Sequence, residues 1–458
     1  MQHISGRSSS KFFSYVIAFV LVVVSFHAFL TVWLASQAGS YVMLRLWKEF
    51  MLLALVVPVF YIAAQRPDIM RQFAKNRMMQ LIAAYVALQV IGGLLAYFMG
   101  NVSPRALGYG WIVNLRFLLF FLLCAFVAHR TDWLRLHWRT IILLPSILVI
   151  VFGILQYFVL PPDVLRHFGY GPDTIPVQSL VDQKEEFLRV QSFQRGANPL
   201  GGYLLVILTS LVVLIATRNH IRLWRTVLLA AGSLCLLLTF SRSAWLGMIA
   251  AGIAAVLLCT KTTYQRRMVA TVLGGLLVVS VVSLIALRNV DMFQNAVFHT
   301  DENSTSSESS NTAHATAKTE GLKDVITNPL GDGPGTAGPA SVYNREAPPR
   351  IAENYFLQIG QEVGWLGLAI FILILVGLAR GWWREHNATL NRVMLASLLG
   401  MVVINMLWHA WTDDTIAYIW WGLAGIAYGS QIARQHEHEA RTLAARSKKK
   451  PLYAKVKV

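Results

Sequence analysis

NPLGDGPG at 328–335, followed by ENYFLQIGQEVGWLGLAIFILILVGLAR at 353–380, decides how this chain is read. The first stretch is polar and broken by glycine. The second passes, within a few residues of Glu353, into an apolar run of the roughly 20 residues that a bilayer span requires. Glycines 331, 333, 335 and 338 permit tight turns or close approach of backbone to a ligand. Upstream, DENSTSSESSNTA at 301–313 has almost no apolar content and reads as mobile. From His314 to Thr327, Ala317, Leu322, Val325 and Ile326 predict one face of a short helix near the membrane, ended by Pro329 and the glycines after it. A polar loop as long as 289–353, in so apolar a chain, is a functional or a disordered segment.

Outward from this loop the chain is membrane-like. Of its 458 residues 55% are hydrophobic and only 14% charged, which places it among polytopic membrane proteins. The expected fold is all-α, with about 12 transmembrane helices. The runs are 12–36, 43–64, 79–99, 110–128, 140–160, 198–217, 223–240, 243–260, 268–288, 354–379, 393–412 and 415–431. Four regions follow: helices of 1–288, including an outer loop at 161–197; the large loop 289–353; helices of 354–431; and a basic tail, 432–458. The tail reads as a flexible end near anionic lipid from 434 onward. The first run is too long for a signal peptide and lacks a convincing cleavage site, so it reads as a retained helix.

Lysine and arginine alternate between connections. Arg66, Arg71, Lys75 and Arg77 mark one, Arg130, Arg135 and Arg139 the next, then Arg218, Arg222 and Arg225, then Lys261, Arg266 and Arg267, then Arg380, Arg384 and Arg392. This pattern predicts both termini in the cytoplasm and two large periplasmic loops, 161–197 and 289–353. The +17 net charge is then mainly a topology signal, and no nucleic-acid partner is expected. There is no nucleotide-binding phosphate loop. Cys124, Cys235 and Cys259 lie in apolar runs, without the spacing of a disulfide frame or a zinc site.

Charged residues near the predicted outer surface need a purpose. Arg242, in FSRSAW at 240–245, is either an interfacial anchor or a guanidinium gripping an anionic headgroup. Arg195 has the same two readings, and the helix opening after it could add backbone N–H groups to an anion site. Arg116, Arg45 and Lys48 could pair with Glu49, with loop carboxylates or with a ligand. His314 is solvated surface or a site residue. Glu353 caps a helix start, serves as a general base or binds a sugar hydroxyl. Asp413-Asp414 reads as a solvated turn, with a cation site as the lesser alternative.

FSRSAW at 240–245, NPLGDGPG at 328–335 and ENYFLQIGQEVGWLGL at 353–368 together resemble the O-antigen ligase / O-antigen polymerase superfamily of bacterial inner-membrane glycosyltransferases. The resemblance implies transfer of a glycan from undecaprenyl diphosphate, on the periplasmic face, to a saccharide or lipid A–core acceptor among the membrane lipids. It implies no metal and no other cofactor. Arginines would neutralise the leaving diphosphate: Arg195 and Arg242, with Arg116 in support. Asn354, Tyr355, Gly333 and Gly335 would position substrate. Ligases of this type usually carry Arg where His314 stands and His where Glu353 stands. That exchange makes Glu353 the expected catalytic base, with His314 as its partner or as a diphosphate contact, and favours a polymerase-like member. A transporter or flippase for lipid-linked sugars, and an oligosaccharyltransferase with a protein acceptor, are the alternatives.

Overall fold

The computed structural model describes residues 2–65, 67–177, 179–181, 184–217, 222–260, 262, 267 and 310–448. The expected span 268–288 and most of the 301–313 segment lie outside the described residues, as does the end of the tail, 449–458. Helices dominate: α1 (Gln2–Val24), α2 (His27–Ala38), α3 (Tyr41–Arg45), α4 (Trp47–Ala64), α5 (Pro67–Lys75), α6 (Arg77–Phe98), α7 (Pro104–Arg130) and α8 (Trp133–Phe158) come first. Then follow α9 (Ala197–Ala216), α10 (Leu223–Leu237), α11 (Arg242–Cys259), α12 (Ser310–Thr327), α13 (Tyr355–Arg384), α14 (Thr389–Leu407) and α15 (Asp414–Lys448). Between α8 and α9 a small antiparallel hairpin pairs β1 (Ser179–Val181) with β2 (Lys184–Arg189). The chain is an all-α polytopic membrane protein.

Eight of the described helices are long and apolar enough to cross a membrane, or nine if one bent pair is a single span. The bent pair corrects the reading of 12–36 as one helix: Lys11–Val24 and His27–Ala38 meet at 79°. Backbone freed at such a break needs new partners in a membrane. Here Thr415 Oγ1 donates to Val24 O at 3.0 Å and Gln194 Nε2 to Ser25 O at 2.9 Å. The run 43–64 divides into α3 and α4, and 223–240 yields a 15-residue helix, about 22 Å long at 1.5 Å per residue and short for a span. The predicted 314–327 helix is present and starts four residues earlier, at Ser310. The tail departs from expectation too. The helix holding 415–431 continues to Lys448, and Arg434 pairs with Glu385 at 2.5 Å.

Lipid tails provide no hydrophobic drive between helices, so small residues set how closely they approach. α15 lies along α7, where a Cβ on Gly425 would meet Phe121 O at 2.4 Å. α11 crosses α14 at Gly247 and Gly400, each blocked by the other's carbonyl. The first part of α15 is enclosed by protein: Trp420 and Trp421 are fully buried and pack with Phe117, Phe371 and Trp411. This aromatic core holds α7, α13 and α15 in fixed relation just beneath the end where their loops meet. At the opposite end, Tyr428 Oη donates to Asn76 Oδ1 at 2.8 Å, among the basic connections.

Candidate active site

Three strained residues mark the loop end. Among the described residues, Ser192, Phe240 and Glu353 are the non-glycine residues with positive φ, at 49°, 47° and 49°. Such conformations cost about 1–3 kcal/mol each and persist only where surrounding structure imposes them. They fall three residues before Arg195, two before Arg242 and on Glu353 itself. Ser192 is held by Gln156 Oε1, which accepts its N–H at 2.8 Å, and by its own hydroxyl donating to Val149 O at 2.7 Å.

The Arg195 and Arg242 segments are tied together. Val190 N donates to Leu238 O at 3.0 Å. Arg189, which the sequence reading passed over, donates to Thr239 O at 2.9 Å and to Asn198 Oδ1 at 2.6 Å. The starts of α9 and α11 then touch, because a Cβ on Gly201 would lie 2.5 Å from that of Ala244. Arg195 is exposed and Arg242 half-buried.

Glu353 reaches the same region through the turn between α14 and α15. Trp411 of that turn packs against Tyr355 and Phe356, with centroids 5.7 and 6.4 Å apart. His409, two residues earlier, lies within electrostatic reach of both Arg195 and Glu353. Burial and then the Arg195 charge lower its pKa to about 4, while Glu353 opposes them. Burial also pushes the Asp413 carboxyl up, against the pull of Arg195. A cleft beside Arg195 is lined by Thr31, Tyr41, Arg45, Asp413 and Asp414.

Asp413 and Asp414 are therefore not a solvated turn; they are 4% and 7% exposed. Asp413 Oδ1 accepts from Thr415 N and Ile416 N at 3.0 and 3.2 Å, capping α15. Asp414 anchors an ion-pair network with Arg116, with Lys48 at 3.3 Å and with His27 Nε2 at 3.1 Å. Glu49 completes it, 3.0 Å from both Lys48 and Arg116. The two cations and two carboxylates balance, as burial demands. His27 Nδ1 accepts from Trp47 Nε1 at 2.8 Å, which leaves Nε2 to donate to Asp414. Arg116, 5% exposed, also donates to Thr412 O at 2.7 Å and so fixes the turn that carries His409.

The glycine-rich loop docks on helices. Gly335 has φ +89°, and a Cβ there would meet Ala106 O at 2.4 Å; one on Gly333 would meet Ala96 Cβ at 2.3 Å. Glu362, buried in α13, accepts from Gly335 N at 2.8 Å and from Asn114 Nδ2 at 2.7 Å. Arg350 closes the loop, pairing with Asp332 at 2.7 Å and donating to Thr336 O at 3.1 Å. Asn354 caps α13, accepting from Phe356 N and Leu357 N at 3.0 and 3.1 Å. Tyr355 is fully buried in the aromatic core. His314 belongs to α12, with its side chain outside the described residues. The structure thus brings Arg195 and Glu353 within electrostatic reach of His409 and ties the Arg242 segment to that of Arg195, while Asn354 and Tyr355 fix the start of α13 and Gly333 and Gly335 let the glycine-rich loop pack on α6 and α7.

Residues 226–372 match the family model described as O-Antigen ligase. The matched segment contains Arg242, the glycine-rich loop, Glu353 and Glu362, and it supports the resemblance of this part of the chain to the O-antigen ligase superfamily. No curated protein matches the chain. The helices make it a multi-pass membrane protein, and the match supports a glycosyltransferase-like function in polysaccharide assembly.

Proposed function

We propose that the protein transfers a glycan from undecaprenyl diphosphate to a hydroxyl of a second saccharide, on the periplasmic face. The observation that carries this reading is the convergence of Arg195 and Glu353, from segments far apart in sequence, around the α14–α15 turn. A transfer of this kind needs cations where the diphosphate leaves and an oxygen acceptor where the hydroxyl attacks. Arg195 and Arg242 supply the first. Their planar guanidinium groups suit bidentate contact with phosphate, and charge there stabilises the leaving group as it develops. Glu353 supplies the second, hydrogen-bonding the attacking hydroxyl.

Arg116 contributes through position. Its guanidinium is engaged by Glu49, Asp414 and Thr412 O, so it holds the turn beside Arg195. His314 keeps the role that the resemblance implies, as the partner of Glu353 or a contact of the diphosphate.

The test is transfer by the purified protein from a native undecaprenyl-diphosphate-linked oligosaccharide, in an assay with neither nucleotide nor metal added. A ladder of longer lipid-linked products identifies a polymerase, and a single shifted band that requires lipid A–core identifies a ligase. No product with either acceptor, from folded protein and intact donor, rejects the proposal.

A further inference from the structure

The Trp408–Asp413 connection is a rigid element. His409 O accepts from Thr412 N at 3.1 Å and from Thr412 Oγ1 at 2.7 Å. Trp411 N donates to Asn405 Oδ1 at 3.1 Å. One side of the turn packs on the residues that follow Glu353, through Trp411. The other side reaches the cleft that Asp413 shares with Arg195. His409 belongs to this turn, half-buried beside the Trp408 ring with centroids 5.6 Å apart, and within electrostatic reach of Arg195 and Glu353.

Resting on the glycosyl-transfer reading, we infer that His409 takes the proton of the attacking saccharide hydroxyl. The new bond joins the acceptor oxygen to the anomeric carbon. The bond from that carbon to the diphosphate oxygen breaks, and its electron pair leaves on the lipid diphosphate beside Arg195. The proton passes to a ring nitrogen of His409, and the Glu353 carboxylate stabilises the imidazolium so formed. A general base here is worth about 10²–10⁴ in rate.

The electrostatics agree with this placement. Two charged groups act on the ring, Arg195 from the segment before α9 and Glu353 from the segment before α13, and Asp413 of the same turn is itself within reach of Arg195. Burial and Arg195 keep the ring neutral in the empty site, so its lone pair is available. The donor's diphosphate neutralises Arg195. The ring therefore becomes more basic when the donor is bound, the moment at which a proton must be accepted.

The experiment uses the full chain in nanodiscs, with the undecaprenyl-diphosphate-linked oligosaccharide as donor and undecaprenyl diphosphate as binding probe. For His409→Gln, transfer is expected to fall about 100-fold or more, with probe binding within about twofold of wild type. The acid limb of the wild-type kcat profile is expected at higher pH than that of kcat/KM, and to vanish from the residual activity of the variant. Transfer by His409→Gln within about threefold of wild type overturns the inference and leaves the glycosyl-transfer reading standing. Absence of transfer by the wild type overturns both. Should His409→Gln fail to fold, carbethoxylation of the wild type decides. His409 modification mapped by mass spectrometry is expected to track loss of transfer and to be slowed by donor. Full modification with transfer retained overturns the inference.

Discussion

Glu362 Oε1 accepts the backbone N–H of Gly335 at 2.8 Å, while its Oε2 accepts Asn114 Nδ2 at 2.7 Å. One buried carboxylate thus fastens the glycine-rich loop to α7 and α13, where α13 bends at Val363–Gly364. The bend is part of the same joint: Asp332 N donates to Gln361 O at 2.9 Å and Gly333 N to Glu362 O at 2.8 Å.

Replacing Glu362 with Ala leaves Gly335 N–H buried without its acceptor and the Asn114 amide with only Gln89 Oε1, at 3.3 Å. Bonds to a charged group contribute about 1.5–3 kcal/mol, so a loss of at least this order is expected. Hydrogen exchange in 331–338 should rise sharply in Glu362→Ala and less in Glu362→Gln. Unchanged exchange in Glu362→Ala would remove the anchoring role.

Gly335→Ala and Gly39→Ala form a matched pair. Both positions have positive φ, +89° and +73°, yet a Cβ on Gly335 collides with backbone at 2.4 Å whereas one on Gly39 meets nothing within 4 Å. Gly39→Ala is expected to cost about 1 kcal/mol. Gly335→Ala should lower yield of folded protein and abolish transfer, read by size-exclusion profile and gel. Equal behaviour of the two variants would show that the loop does not need its close approach to α7.

Asp414→Asn leaves Arg116 and Lys48 facing Glu49 alone. Breaking a buried charge network by removing one member costs about 3–5 kcal/mol. Arg116→Met is expected to cost a similar amount and to loosen the turn at Thr412 as well. Thermal unfolding in detergent measures both, and a shift smaller than that of a surface control such as Arg135→Ala would contradict the network's role.

Arg195→Ala and Arg242→Ala are expected to abolish transfer while leaving the folded state largely intact, since neither side chain is buried. Binding of undecaprenyl diphosphate should fall with transfer. Wild-type transfer in both variants would eliminate the diphosphate clamp.

His409 titrates near 6.5 when unfolded and is held at about 4 in the fold. Between these values the unfolded chain binds more protons, so stability must fall as pH drops from about 6.5 towards 4, with the full value present above 6.5. In His409→Gln this part of the pH dependence should disappear from denaturation curves. An unchanged slope would mean that the ring is solvated in the native protein.

Much of the architecture was legible in the sequence because a bilayer imposes length and apolarity locally. The α13 span, the α12 helix ended by Pro329, and the division between basic connections and polar loops could all be read residue by residue. Arg195, Arg242 and Glu353 were legible as site candidates because charge at a span end needs a reason. His409, Arg189, Arg350 and Glu362 were not. Their meaning lies in partners far away in sequence: Glu362 bonds Asn114 and Gly335, and Arg189 bonds Thr239 and Asn198.

The sequence by itself determined that this is a polytopic helical membrane protein with its unusual residues crowded at loop segments. Apolar length and short-range charge placement are properties of contiguous residues. Only the tertiary structure decided that Asp413-Asp414 is buried, that 12–36 breaks at Ser25, and that a histidine on the turn between α14 and α15 comes within electrostatic reach of Arg195 and Glu353. Each of these depends on whether a polar group finds a partner across the bundle. Burying an unpaired charge or a free carbonyl in lipid costs too much for any single segment to settle the matter alone.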